Sequence, residues 1–121
     1  VLVDSWAWID YFQDARSKAR PFIEGGEDLL VSTVNLAEVY RFMLTHRPKK
    51  DALAAIEFMR KASFSVPVSE DIALQAAEIR HEKKFGLGDA IVLATALSQG
   101  VKVVTGDSDF KNIAQAIYLG K

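Results

Sequence analysis

The chain carries no cysteine. Disulfide staples, thiolate zinc sites and cysteine nucleophiles are thereby excluded, and an intracellular home is favoured. Neither sign of charge dominates. Lys and Arg number 15 against 16 Asp and Glu, for a net charge of −1, so bulk charge does not announce a nucleic-acid binder. Long hydrophobic runs are missing as well. The longest strongly apolar stretch, residues 90–97, is too short to span a bilayer. Internal repeats, linkers and low-complexity segments are absent from the sequence. The first residue is Val1 and not methionine, so at least one upstream residue is expected.

What the chain does have is hydrophobic content. Half of its 121 residues are apolar, which suits a globular chain forming a single domain over residues 1–121. A chain of this length buries roughly two-thirds of its unfolded surface. Strand and helix patterns alternate along it. Strands are expected at 1–4, 29–32, 64–68, 101–105 and 116–119. Helices are expected at 5–13, 15–24, 33–45 with Ser32 or Thr33 as cap, 49–62, 69–84 with Ser69 as cap, and 89–99. The last of these is apolar nearly all round and should be buried on most sides. The alternation argues for an α/β fold with a parallel sheet and helices on both faces. Such sheets bind ligands beyond the carboxyl ends of their strands, where strand order reverses.

Against this background a set of acids stands out. Asp4 ends the apolar residues 1–3, and Asp107 follows residues 101–106. Glu38 and Asp89 lie near the starts of two apolar helical stretches, and Asp109 is close to Asp107. If the first and fourth strands are neighbours, Asp4 and Asp107 meet at one crevice. Two carboxylates about 4 Å apart repel by roughly 4 kcal/mol at an effective dielectric near 20. Several together are destabilising or take up protons. A hard divalent cation removes that conflict, because magnesium accepts carboxylate oxygens and takes further ligands from water and phosphate. Each acid also has an ordinary explanation. Asp4 would cap the amides around Ala7, Glu38 would pair with Arg41 at i+3, Asp89 would favour a helix N-terminus, and Asp107 and Asp109 would be turn residues.

Four motifs occur in order: Val1-Leu2-Val3-Asp4-Ser5, Asn35-Leu36-Ala37-Glu38-Val39, Gly88-Asp89-Ala90-Ile91-Val92-Leu93-Ala94-Thr95-Ala96 and Val103-Val104-Thr105-Gly106-Asp107-Ser108-Asp109-Phe110. Through them the whole chain resembles the PIN domain family, and more narrowly the VapC-type toxins of bacterial and archaeal toxin–antitoxin pairs. The resemblance implies a three-layer α/β fold whose parallel sheet has the order 3-2-1-4-5. It implies a ribonuclease using Mg²⁺ or Mn²⁺, with Asp4, Glu38, Asp89 and Asp107 as catalytic and metal-holding acids. Asp109 matches a further metal-site aspartate with a supporting role, and Thr105 a small hydroxyl position near the pocket. A single-stranded or looped RNA substrate, a cognate antitoxin, a homodimer and a cytoplasmic setting are implied with it. Trp6 departs from the family, where a small polar residue is usual after Asp-Ser.

Other features fit more than one reading. Basic clusters at Arg16, Lys18 and Arg20, at Arg41 to Lys50 and at Arg80 to Lys84 suit helix ends or a phosphate-tracking surface. The aromatic residues Trp6, Trp8, Tyr11, Phe12 and Phe42 suit either core or, by the resemblance, a dimer face or antitoxin groove. Rival functions are an RNA-processing or RNA-binding module without a toxin role, a receiver-like phosphoacceptor domain, and an acid phosphatase with an Asp-x-Asp nucleophile. A receiver wants paired acids after strand one and an acceptor Asp after strand three. Here Asp4 is followed by Ser5, and Val68 by Ser69 and Glu70.

Overall fold

The computed structural model describes residues 1–120. Its elements follow the expected alternation: β1 (Leu2–Val3), α1 (Ser5–Gln13), α2 (Arg20–Glu24), β2 (Leu30–Ser32), α3 (Thr33–His46), α4 (Lys49–Ala62), β3 (Phe64–Val66), α5 (Glu70–Lys83), α6 (Leu87–Gln99), β4 (Val103–Thr105) and β5 (Ala116–Tyr118). A short 3₁₀ turn, Ser108–Phe110, follows β4. The strands form one five-stranded sheet in the order β3-β2-β1-β4-β5, and every pairing is parallel. This is the α/β architecture and strand order expected.

The register explains the three layers. Leu2 pairs with Val103 and Leu30, and Val3 pairs with Val104. Side chains alternate across a strand. Val3, Val31 and Val104 therefore pack with α1 to α4 in one core, while Leu2, Leu30 and Val103 pack with α5 and α6 in the other. Both sheet faces are covered, which is why the central strands are short apolar runs and not alternating ones. As expected, α6 is buried on most sides, through Ala90 and the run Val92 to Ala96.

Several boundaries differ from the expected ones, each for a local reason. The second helix begins at Arg20 and not at 15, because Pro21 lacks an N–H and fits only a first helical turn. The residues before it form turns, with the Ser17 amide on Asp14 O at 3.0 Å. β3 stops at Val66 because Pro67 cannot donate to a ladder. β4 starts at Val103 because the Val101 amide still closes the end of α6 on Ala96 O, with Gly100 in the left-handed region. α6 starts two residues early, at Leu87, because Gly86 takes the cap position and its carbonyl accepts from the Ala90 amide. β1 and β5 are each trimmed to their paired residues. No helix among the described residues is long and apolar enough to cross a membrane.

Candidate active site

The strand order runs outward in both directions from β1 and β4, so the reversal point lies between their carboxyl ends. Asp4 is the first residue past β1. Its backbone continues the ladder, donating to Val104 O at 3.0 Å, and its side chain is only 4% exposed. The capping explanation fails, because the carboxylate makes no side-chain cap bond to α1. Instead Asp4 Oδ2 accepts from the Thr105 hydroxyl at 2.8 Å, and Oδ1 from Asn35 Nδ2 at 3.3 Å. Burial raises its pKa to about 6. The Thr105 hydrogen bond opposes that rise, and the charges of Glu38 and Asp107 add to it.

Asn35 ties the site to the start of α3. Ser32 caps that helix, and the Asn35 carbonyl accepts from the Ser32 amide at 3.0 Å, completing a capping box. The amide nitrogen of Asn35 is thereby aimed at both Asp4 and Ser5 Oγ, the latter at 2.9 Å. Ser5 in turn donates to Glu38 Oε1 at 2.7 Å. Glu38 thus pairs with Ser5 and not with Arg41. Its other oxygen faces Gly88, where an added Cβ would lie 2.6 Å away. Glycine at that position lets the first turn of α6 approach the Glu38 carboxylate.

Asp89 lies in the same first turn of α6 and is half-buried. Burial, then the charges of Asp107 and Asp4, then contact with Asp109, push its pKa up to about 8. Asp107 follows β4. Its amide donates to Thr105 Oγ1 at 3.0 Å, and its Oδ1 accepts from the Asp109 amide at 2.9 Å. The turn explanation of Asp107 is therefore correct as far as it goes, and the residue still faces the other acids. Asp89, Asp107 and Asp109 each offer an oxygen within 4.8 Å of the others.

A cleft of about 440 Å³ gathers Asp4, Glu38, Asp89 and Asp107 among its lining residues. Asp109 adjoins it through Asp89 and Asp107. Trp6 and Ile9 of α1 and Arg41, Phe42, Thr45 and His46 of α3 also line it. Among the described residues the ion pairs are Arg20–Glu24 and Lys61–Glu57, so no lysine or arginine forms an ion pair with any of the five acids. An all-oxygen donor set in which Asp4 and Asp89 have raised pKa values fits a hard divalent cation such as Mg²⁺ or Mn²⁺.

The aromatic residues divide. Trp8 is fully buried in the core, partly buried Tyr11 and Phe12 pack against it, and the more exposed Phe58 of α4 completes the group, whereas Trp6 and Phe42 line the cleft. Of the basic residues, Arg41 and His46 reach the cleft, and Arg80, His81 and Lys83 occupy the last turn of α5. Asn35 and Ser5 were not singled out by sequence reasoning as site residues. The available signal was Asn35 at i−3 of Glu38 and i+3 of Ser32, which places a polar amide on the inner face of α3. The receiver alternative is set aside by the sheet, since that class has the order 2-1-3-4-5 and here β3 lies at the edge.

Residues 1–116 match the family model described as PIN domain. No curated protein matches. Among solved structures, the chain is similar to a toxin–antitoxin complex from Klebsiella pneumoniae, with 25% identity, a TM-score of 0.83 and coverage of 100% of this chain and 98% of that one. VapC20 of Mycobacterium tuberculosis, a sarcin-ricin loop cleaving toxin, is 24% identical with a TM-score of 0.76, covering 94% and 95%. VapBC2 of Rickettsia felis, bound to a DNA fragment from its promoter, is 15% identical with a TM-score of 0.79, covering 97% and 95%. At those last two identities the likeness concerns the fold alone.

Proposed function

We propose that this chain, which belongs to the PIN domain family, is a metal-dependent endoribonuclease and the toxin of a toxin–antitoxin pair. The observation that carries the reading is the convergence of Asp4, Glu38, Asp89 and Asp107 in one cleft, with Asp109 adjoining and none of the five in an ion pair among the described residues. Similarity to a toxin–antitoxin complex and to a sarcin-ricin loop cleaving toxin supports RNA as substrate and an antitoxin as partner.

Asp4, Asp89 and Asp107 would hold Mg²⁺ or Mn²⁺, with Glu38 as a ligand or acting through water and Asp109 in support. When bound, the ion supplies charge for the phosphate and lowers the pKa of the attacking water. The chain's own groups prepare that site. Thr105 and Asn35 direct both oxygens of Asp4, Thr105 also fixes the Asp107 amide, and Ser5 orients Glu38. In-line hydrolysis would leave a 5′-phosphate and a 3′-hydroxyl.

An exposed apolar groove of about 270 Å³ between α3 and α4, lined by Leu36, Ala37, Tyr40, Leu53 and Ile56, supports a helical antitoxin segment as occupant. We infer further a single domain over residues 1–121, a homodimer and a cytoplasmic setting. Light scattering tests the dimer. The central test is cleavage of defined single-stranded RNAs by purified protein with Mg²⁺ or Mn²⁺ and with EDTA. Chelation, Asp4→Asn and Asp89→Asn should each abolish cleavage with the fold intact. Full activity in EDTA, or in both variants, defeats the reading.

A further inference from the structure

We propose that Trp6 is a stacking platform for the base of an unpaired nucleotide next to the scissile phosphate, so that the RNA must be single-stranded at the cut. The inference rests on the ribonuclease reading above and specifies its substrate.

Trp6 lies two residues after Asp4, on the first turn of α1, and faces the same cleft as the acids. The indole is held and not merely exposed. One side of it rests on Gly106, just past β4, where an added Cβ would come within 2.4 Å of Cζ3 and Cη2 and 2.6 Å of Cε3. Only glycine at 106 leaves room for the ring in that position. Trp6 nevertheless keeps 38% of its surface exposed. The other aromatic groups near the site are already paired. Trp8 packs against Tyr11, Phe12 and Phe58, and Phe42 stacks on His46 at 4.2 Å. Among the described residues no ring stacks on Trp6. A large, fixed π-surface with no partner thus stands beside the acids.

A nucleobase is the group that fits it. Stacking on an aromatic face is the usual way of holding single-stranded nucleic acid, and it tolerates any base. A base-paired nucleotide cannot present its face to a side chain, so the platform selects for an unpaired one. Arg41 stands in the same cleft, in no ion pair among the described residues, where a neighbouring phosphate would meet it.

The test walks an abasic nucleotide along a cleavable single-stranded RNA, with wild type, Trp6→Ala and Trp6→Phe, each checked by circular dichroism and thermal melting. In wild type one abasic position next to the cut should lower kcat/KM by roughly tenfold to a hundredfold. Trp6→Ala should lower cleavage of the intact RNA by a similar factor and be insensitive to that abasic position, while Trp6→Phe retains most activity. Equal abasic sensitivity in wild type and Trp6→Ala overturns the proposal while the ribonuclease reading stands. A second arm does not depend on cleavage: decauridylate in Ca²⁺ should quench the indole fluorescence of wild type, and the quench should be lost in Trp6→Phe. Quenching without cleavage in Mg²⁺ or Mn²⁺ would sink the ribonuclease reading and leave the platform. The absence of both would remove both.

Discussion

Leu2, Val3 and Asp4 are consecutive and all are buried, yet they place opposite demands on their surroundings. The first two fill two apolar cores, one on each face of the sheet, and are satisfied by contact alone. Asp4 is buried with a carboxyl group that its surroundings push toward protonation. The same change occurs on β4, where Val103 and Val104 give way to Thr105 and then Asp107. The body of the sheet is consistent at every level. Its carboxyl edge concentrates like charge in a way that a core would never tolerate. Stability resides in the first region, and the second consumes some of it for function.

That contrast breaks most visibly when one residue is removed from each side. Asp89→Asn should lower RNA cleavage by about a thousandfold or more, since several kcal/mol of charge stabilisation depends on the acids. Its melting temperature without metal should hold or rise, because repulsion with Asp107 and Asp4 is relieved. Trp8→Ala, in the core against Tyr11, Phe12 and Phe58, should do the reverse. It should cost about 3–5 kcal/mol in urea unfolding and leave activity per folded molecule near wild type. A metal-free Asp89→Asn protein that melts far below wild type would erase the distinction.

Much of the body was legible in advance because its signals are local. Short apolar runs, the Ser32 and Ser69 caps and Gly100 mark their elements without reference to anything distant. The misplaced boundaries were local too, and Pro21 and Pro67 could have corrected them. At the edge, the acids were visible as residue types in apolar company. The hydrogen bonds that orient them were not, because they join positions far apart in sequence, as in Thr105 to Asp4 and Asn35 to Ser5. The same holds for Trp6. Sequence placed it in one group with Trp8, and exposure to the cleft and the close approach of Gly106 separate the two.

A change of pH should sharpen the comparison. The pKa of Asp4 rises from 3.8 to about 6, and that of Asp89 from 3.8 to about 8. A carboxyl whose folded-state pKa lies above its unfolded value contributes stability below the unfolded pKa. It loses that contribution as pH rises through the folded value. For buried Asp4 the loss across the full window is on the order of 3 kcal/mol. In EDTA the chain should therefore become less stable from about pH 4 to about pH 8, and Asp89→Asn should flatten the upper part of that slope. Mg²⁺ should restore stability mainly at the alkaline end, where the acids are charged. Urea unfolding at several pH values measures this, and stability that is flat or rising over the range in EDTA contradicts it.

The smallest change isolates one hydroxyl. Thr105→Val keeps the shape of a fully buried side chain and removes a donor to Asp4 Oδ2 together with an acceptor for the Asp107 amide. The lost donor had opposed the rise in the Asp4 pKa, so that pKa should climb further. If cleavage requires ionised Asp4, the acid limb of the rate profile should move to higher pH. Activity near neutrality should fall by about tenfold to a hundredfold, the usual range for groups that orient metal-holding residues, and part of it should return under alkaline conditions. Thr105→Ser keeps both hydrogen-bonding roles and should leave the acid limb where it was. Stability at acid pH should change little in Thr105→Ser and fall by about 1–3 kcal/mol in Thr105→Val, because the part-buried Asp107 amide loses its acceptor whatever the charge of Asp4. A uniform drop in rate across all pH values would mean that Thr105 serves packing alone, and would detach the body of β4 from the acid it ends beside.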